Sequence, residues 1–148
     1  MPRIEIELPD TFLFRTEIPV RISDINYGNH LGNDAVLSLM HEARLRFLAQ
    51  YGFSEADIGG PGIIMTDAAV VYVSQAFYGD ILAVDVTIAE LHKYGFDLLY
   101  RLANTRTAKE VARGKTGMFC FDYGKKRIAS VPQVFKDACG GTQSTEGK

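Results

Sequence analysis

A single loop of this 148-residue chain concentrates side chains that can do acid–base chemistry. It runs from Asp24 to Asn33 and carries a carboxylate, asparagine amides, a tyrosine and a histidine. Its glycines and polar residues are typical of irregular backbone, and a helix is predicted to begin where it ends. Unpaired N–H groups and the positive dipole end at a helix N-terminus stabilise a carbonyl oxygen that gains charge during acyl transfer. The loop is therefore a candidate site for acyl transfer, although its residues would serve equally to order a turn and cap the helix.

The helix after this loop is predicted to begin at Asn33 or Asp34, either of which can cap it, and to end near Tyr51, before Gly52. Apolar residues cover so wide an arc that we expect most of the helix to be buried. One face carries Val36, Leu39, Met40, Ala43 and Phe47, and the neighbouring side carries Leu37, Leu45 and Leu48. A narrower, lightly polar strip carries Ala35, Ser38, Glu42, Arg46 and Ala49.

Strands are predicted on both sides of this helix. Residues 11–23 are rich in β-branched and aromatic side chains and contain Pro19, which indicates an edge strand or a bulge. After the helix, alternation and turn residues predict four strands, at residues 63–75, 81–92, 96–103 and 111–123, and then a brief helical turn. Short connections between these strands favour an antiparallel meander around the helix. The sequence thus predicts an α+β domain with a curved antiparallel sheet of five to six strands wrapped around one long central helix.

Length and composition indicate one globular domain. Apolar residues make up 47% of the chain and charged residues 23%, a balance that supports a sizeable core. We expect the domain to span residues 1–135, with a flexible tail at residues 136–148. The net charge of −2 comes from interspersed residues without a basic stripe, so nucleic acid is not an expected partner.

The sequence shows no pattern for a membrane segment, a signal peptide or a metal site. No apolar run is long enough to cross a bilayer and the N-terminus does not resemble a signal peptide, so no membrane insertion and a cytoplasmic location are expected. Cys120 and Cys139 have neither metal nor redox spacing and are expected to be reduced structural thiols. His30, His41 and His92 are scattered without ligand spacing, so no metal is predicted.

The loop and the helix together resemble a known family. Residues 21–33, followed by Glu42-Ala43-Arg44, are similar to the D-x-D-x-x-G-H-V-x-N-like loop and E-x-R-like helical motif of the 4-hydroxybenzoyl-CoA thioesterase branch of the hotdog superfamily. Tyr72, Tyr78-Gly79-Asp80 and Val131-Pro132 resemble that family's strand, its Gly-Asp turn and its closing proline. Agreement at such widely spaced positions is more specific than any one motif. The resemblance implies a hotdog fold and an acyl-CoA thioesterase.

One departure from the family pattern affects the predicted chemistry. The second acidic position of the loop, a catalytic aspartate in many members, is Asn26 here. An amide cannot act as a carboxylate base, although it can orient water or donate a hydrogen bond to a thioester oxygen. The chain resembles enediyne polyketide thioesterases in combining this asparagine with the helical Arg44, so the absence of the aspartate does not imply a loss of activity. His30 matches the loop histidine of plant acyl-carrier-protein thioesterases, and either orders the turn or takes part in catalysis.

The remaining candidates lie in the same loop and helix. Glu42, on the polar strip, is a candidate general base, but Arg46 four residues later would equally form an ion pair with it. Asp24 matches the family's first acidic position and is expected to organise the loop and to orient His30. Arg44 either serves the site or reaches solvent. The candidate catalytic residues are Asn26, His30 and Glu42, and the candidate substrate-binding residues are Asp24, Tyr27, Asn33 and Arg44.

These features predict hydrolysis of an acyl thioester by activated water. Acyl-CoA is the expected substrate, an acyl carrier protein is an alternative carrier, and no cofactor is expected apart from the CoA of the substrate. A homodimer or homotetramer is predicted because one small sheet leaves an exposed edge, which hotdog relatives cover by joining two sheets with the site between subunits. Two other functions stay open: a non-catalytic acyl-CoA or acyl-carrier-protein binding protein, and an enzyme of another type, such as a dehydratase.

Overall fold

The structure, a computed structural model, describes residues 3–140. Its elements are β1 (Phe14–Pro19), a 3-10 turn (Ile22–Asp24), α1 (Asn33–Gln50), β2 (Gly62–Tyr72), β3 (Ile81–His92), β4 (Gly95–Asn104), β5 (Glu110–Asp122), β6 (Arg127–Ile128) and α2 (Gln133–Phe135), which continues into a π-helical turn (Lys136–Gly140). The predicted α+β class is confirmed, and α1, the predicted central helix, has 18 residues.

The strands form one antiparallel sheet in the order β1-β3-β4-β5-β2, with β6 paired to β5. β3, β4 and β5 follow one another as the predicted meander. β2 pairs with β5 and not with β3, so the prediction of a meander through all four strands is wrong at this point. Residues 73–80 are long enough to carry the chain from one edge of the sheet towards the other, which alternation alone does not reveal. Pro19 is the last residue of β1. This strand lies at the edge of the sheet, which confirms the edge strand as the correct one of the two predicted alternatives.

The inner face of the sheet packs against α1 and forms the main core. The helix face that was predicted to be apolar is buried there: Val36, Leu39, Met40, Ala43 and Phe47. Burying each of the larger side chains stabilises the fold by roughly 1.5–3 kcal/mol. Gly114 of β5 permits the close approach of the helix, because a Cβ atom at this position would collide with the end of the Met40 side chain. This is the helix-and-sheet arrangement of the expected hotdog fold.

The second apolar side of α1 is only partly buried. Leu48 is fully buried, whereas Leu37 and Leu45 are each 40% exposed. The prediction was wrong for these two leucines because, within residues 3–140, the sheet covers only one side of the helix.

The cap of α1 also differs from the prediction. Gly32, in an extended conformation, is the N-cap, and none of the side chains that the structure describes caps the helix. Asn33 and Asp34 are its first two residues. A Cβ atom at Gly32 would lie 2.7 Å from the Asp34 carboxylate, so the N-cap position favours glycine. The helix start therefore lacks the side-chain acceptor that an asparagine or aspartate cap would have supplied.

The C-terminal turn continues the folded domain beyond residue 135. Phe135 stacks on Phe96 with ring centroids 4.9 Å apart, and Cys139 is only 2% exposed. Lys136–Gly140, the first residues of the predicted tail, form a helical turn in which Cys139 is buried, and the bounds of the domain and its tail stay a prediction. The rest of the predicted tail, residues 141–148, lies outside the described residues.

The turn between β3 and β4 requires a glycine, which gives the first testable prediction. A Cβ atom at Gly95 would overlap the carbonyl oxygen of Met118, which belongs to the neighbouring strand and cannot move without disturbing the β4–β5 pairing. We expect Gly95→Ala to lower the free energy of unfolding by about 1–3 kcal/mol in urea denaturation. Gly124→Ala, in a surface turn, is the control and should stay within about 0.5 kcal/mol. Equal losses in both variants would exclude the close approach as the cause.

Candidate functional site

A cleft of about 260 Å³ lies where the N-terminus of α1 meets the C-terminal end of β2. Its lining comes from the predicted loop, from the first turn of α1, from β2 and the segment after it, and from β5: His30, Leu31, Asn33, Val36, Tyr72, Val73, Ser74, Gln75, Ala76 and Val111. Valine and alanine side chains give it apolar walls, while an imidazole and a phenol lie at its rim. An acyl group and a polar carbonyl can therefore be held side by side.

Asn26 orders the loop that carries His30 into this cleft. Its Oδ1 accepts hydrogen bonds from the N–H groups of Gly28 (2.9 Å) and His30 (3.4 Å), and its own N–H donates to the His30 carbonyl (3.0 Å). The imidazole lies beside Gly28, where a Cβ atom would come within 3.2 Å of Nε2. The Asn26 amide nitrogen donates to none of the described residues. Asn26 therefore positions His30, and both N–H groups of its side-chain amide can donate to a bound group.

The half-buried His30 ring has one nitrogen near a backbone acceptor, and the other has no hydrogen-bond partner among residues 3–140. Nδ1 lies 3.5 Å from the Leu31 carbonyl, a long contact in which an Nδ1–H donates. In that tautomer Nε2 has a lone pair that can accept a proton. The backbone N–H of Leu31 donates to the Ala76 carbonyl at 2.8 Å, which fixes this part of the loop to the chain after β2.

The first turn of α1 supplies hydrogen-bond donors at the same place. Because Gly32 has no side chain, the backbone N–H groups of Asn33 and Asp34 have no acceptor among the described residues. The Gly32 N–H itself donates to the Asp24 carbonyl at 2.9 Å. The Tyr72 hydroxyl donates to the Asn33 carbonyl at 3.2 Å and so ties the end of β2 to the helix start. Together with the helix dipole, the free donors can stabilise a developing oxyanion.

Asp24 is buried and pairs with Arg21. Its carboxylate accepts hydrogen bonds from the Arg21 backbone N–H at 2.8 Å and from the guanidinium at 3.1 and 3.2 Å. The structure therefore gives Asp24 the predicted loop-ordering role, but directs its carboxylate to Arg21 and not to His30. A part in substrate binding stays a prediction.

Two other candidates lie apart from the cleft in this chain. Tyr27 is fully exposed at the loop tip. Glu42 pairs with Arg46 at 2.9 Å, which is the ion pair that their spacing indicates, and it lines a different groove beside β1 with Ser38. The structure does not bring Glu42 and His30 together, and the general-base role of Glu42 stays a prediction.

Arg44 lies inside the domain, so the alternative in which it reaches solvent is wrong. It is 6% exposed, its Nε donates to Glu55 at 2.6 Å, and it also donates to the Tyr100 hydroxyl at 3.1 Å. The Tyr100 hydroxyl shares a further hydrogen bond with Thr116 at 2.8 Å. Arg44 lines none of the cleft beside His30. Its predicted part in substrate binding is untested, and its contacts are those of a residue that holds α1 to the sheet.

In this network burial and ion pairing shift the pKa of Glu55 in opposite directions. Desolvation raises the pKa of Glu55, but hydrogen bonds and charge from Arg44 and then His41 outweigh it and hold the pKa below the ordinary value. Burial raises the pKa of Tyr100 above its ordinary value. The network therefore contains a carboxylate, a guanidinium and a neutral phenol at neutral pH.

Sequence reasoning did not find all of the residues that form the cleft. Val36 was assigned only to the core, although its position one turn after Asn33 on the helix is a usable signal. Tyr72 resembles a strand residue of the family, but nothing in its spacing indicates a hydrogen bond to the helix start. Val111 reaches the cleft through the pairing of β5 with β2 and the residues just after it, and Gln75 lies in the segment that follows β2.

Residues 3–140 contain neither a cluster of metal-ligating side chains nor a helix that could cross a membrane. No group of three or more histidine, cysteine, aspartate or glutamate side chains lies close enough to hold a metal ion. None of the helices in this range has the length and apolar character needed to cross a bilayer.

Comparison with known proteins identifies the family of this chain. Residues 20–139 match the Thioesterase-like superfamily. A 1,4-dihydroxy-2-naphthoyl-CoA hydrolase from Synechocystis sp. PCC 6803 is 24% identical over 128 residues, which cover 84% of this chain and 93% of that protein.

Solved structures share the fold. A DHNA-CoA thioesterase from Staphylococcus aureus has a TM-score of 0.78 at 23% identity, over 90% of this chain and 94% of that one. A hypothetical protein from the same organism, solved in complex with CoA, has a TM-score of 0.77 at 16% identity, over 90% and 85% of the two chains. The chain belongs to the thioesterase-like superfamily. The predicted hotdog fold and the predicted enzyme class, an acyl-CoA thioesterase, are confirmed at the level of this family.

The pair between buried Arg44 and half-buried Glu55 gives a pH-dependent stability prediction. Folding lowers the pKa of Glu55, so the ionised carboxylate stabilises the folded state. This stabilisation is present above the unfolded pKa, about 4.5, and is lost as the pH falls through the lower folded pKa. Glu55→Gln leaves the buried guanidinium without a counter-charge, so we expect a loss of about 1–3 kcal/mol at pH 7 in urea denaturation. The difference from the wild type should shrink below pH 4.5.

Glu42→Gln is the matched control, since it removes a carboxylate from a surface pair with Arg46. We expect it to change stability by less than about 1 kcal/mol. If Glu55→Gln lowered the free energy of unfolding at pH 7 no more than Glu42→Gln does, the Arg44–Glu55 pair would not stabilise the domain.

Proposed function

We propose that this chain hydrolyses an acyl-CoA thioester in the cleft between the Asp24–Asn33 loop, the start of α1 and the end of β2. The observation that carries the proposal is the convergence in one cleft of a histidine, a helix start and an apolar slot, where one ring nitrogen and two helix N–H groups have no partner in the described part of the chain. These are the three requirements of hydrolytic acyl transfer: a base, an oxyanion site and a place for the acyl group.

In the proposed reaction the thioester carbonyl oxygen faces the N–H groups of Asn33 and Asp34. Nε2 of His30 accepts a proton from water as the water oxygen attacks the carbonyl carbon. The tetrahedral intermediate carries its negative charge towards the helix start, and its collapse breaks the carbon–sulfur bond. The CoA thiolate then takes the proton from His30, which restores the neutral imidazole and releases the carboxylic acid.

Asn26 would assist this reaction without being a base. Its Oδ1 is occupied by the loop N–H groups, so its amide nitrogen is the atom available to hold the water or the thioester oxygen. Because no carboxylate occupies this position, we expect modest turnover. If His30 acts only by ordering the loop, Glu42 is the alternative general base in this proposal.

The substrate class is supported by the similar proteins. The Synechocystis and Staphylococcus aureus relatives are named for a 1,4-dihydroxy-2-naphthoyl thioester of CoA, which has an aromatic acyl group. An aromatic acyl-CoA therefore belongs in the test panel beside straight-chain acyl-CoAs and an acyl carrier protein thioester. CoA enters as part of the substrate, and we propose that no separate cofactor is needed. A cytoplasmic location stays a prediction.

We also propose that the working unit is at least a homodimer. In the described chain β2 pairs with β5 on one side and has no strand on the other, and it ends at the cleft. An exposed edge strand pairs readily with a second copy, and antiparallel pairing of two β2 edges would bring the partner's sheet beside each cleft. The site would then lie between subunits, as the resemblance implies.

The role of His30 is tested by release of free thiol from the acyl-CoA panel. We expect the wild type to hydrolyse at least one substrate, and His30→Ala to lower kcat/KM by on the order of 10²-fold or more. His41→Ala is the control, because His41 lies on α1 outside the cleft and bonds only Glu55. Binding of acyl-CoA without thiol release by the wild type would instead support the non-catalytic alternative.

Asn26→Asp is a sharper probe of the same site. A carboxylate keeps the oxygen that accepts from Gly28 and His30, so the loop should keep its conformation. It also restores the group common in the family, and we expect a higher kcat if the surrounding site is intact. Unchanged rates for Asn26→Asp, Asn26→Ala, His30→Ala and Glu42→Ala, in variants shown to be folded, would place the chemistry elsewhere.

A further inference from the structure

The segment before β1 crosses the face of the sheet opposite to α1. We call residues 3–10 the strap. Ile6 is buried against Val71 of β2 and Leu99 of β4, and Leu8 packs beside them. The guanidinium of Arg113 on β5 donates a hydrogen bond to the Ile6 carbonyl at 2.9 Å. The strap is therefore fixed to the outer face at a defined place.

The position of Ile6 determines where the strap leads. Ile6 packs against Val71 of β2 and Leu99 of β4, the two strands on either side of β5, so it lies over β5, next to the β2 edge. Neighbouring strands are about 4.8 Å apart and an extended chain advances about 3.3 Å per residue. Ile4, two residues before Ile6, can therefore reach the β2 edge. The Ile4 side chain is 57% exposed, whereas Ile6, the next apolar residue of the strap, is buried.

We infer that the strap crosses the subunit boundary, so that Ile4 packs on the outer face of the partner's sheet. This inference rests on the proposed dimer. Antiparallel pairing of two β2 edges places the N-terminal half of the partner's β2 beside the C-terminal half of β2, where the strap lies. Ile64 points outward in that half, since it alternates with the core residue Ile63, and it is only partly buried. The two-fold axis gives each dimer two such contacts.

The first test compares dimer dissociation by sedimentation over a dilution series. Ile4→Ser removes the apolar contact from an exposed position and should leave the fold intact. Because the change occurs twice per dimer, we expect dissociation to be favoured by about tenfold or more. Ile81→Ser is the control: Ile81 is similarly exposed but starts β3, separated from β2 by β4 and β5, and should leave dissociation unchanged.

A second test detects the contact directly. A chain with both Ile4→Cys and Ile64→Cys should form covalent dimers under mild oxidation, seen on a non-reducing gel. Within one chain the two positions cannot join, because Ile64 lies seven residues along β2 from Val71, roughly 20 Å, and a disulfide needs Cα atoms within about 7 Å. The native Cys120 and Cys139 are buried, and burial raises their thiol pKa to about 11 and about 12, so they do not compete.

The outcomes separate this inference from the proposed dimer. A wild-type monomer at micromolar concentration overturns both. A stable dimer that dissociates equally in the wild type and in Ile4→Ser, and that forms no covalent dimer through the paired cysteines, overturns the strap contact alone.

Discussion

The burial of α1 against the inner face of the sheet is the interaction on which the other features of the structure depend. It places Met40 against Gly114 and encloses Phe47 in the main core. Since the helix is fixed by its apolar face, its first turn is fixed as well, at the end of β2. The Tyr72–Asn33 and Leu31–Ala76 hydrogen bonds then hold the loop and the helix start to that end of the sheet. The cleft is a consequence of this packing.

A buried charge sets the rotation of the helix about its axis. Arg44 faces the core and is matched by Glu55 and the Tyr100 hydroxyl. Turning the helix would separate the guanidinium from both partners, and an unpaired buried charge costs several kcal/mol. The same rotation keeps Glu42 and Arg46 on the far side, in their own groove. Helix orientation and the separation of Glu42 from His30 thus have one physical cause.

The asparagine at the family's acidic position has a structural explanation in this loop. What the loop conformation needs from residue 26 is an acceptor oxygen for the N–H groups of Gly28 and His30, and an amide supplies one as well as a carboxylate does. The turn therefore survives the loss of charge. In the proposed reaction His30 therefore transfers the proton. The same turn holds its imidazole ring at the cleft.

The sequence by itself determined the local elements and the grouping of the candidate residues. Periodicity is a short-range property, so the bounds of β3, the extent of α1 and the buried face from Val36 to Phe47 could be predicted, as could the polar loop that contains Asn26 and His30. Only the tertiary structure decided that β2 pairs with β5, that Tyr72 meets the helix start, that Arg44 is buried and that the strap lies on the outer face. Each of these joins residues far apart in the chain, and such pairings depend on which surfaces the folded core leaves available, which no local pattern encodes.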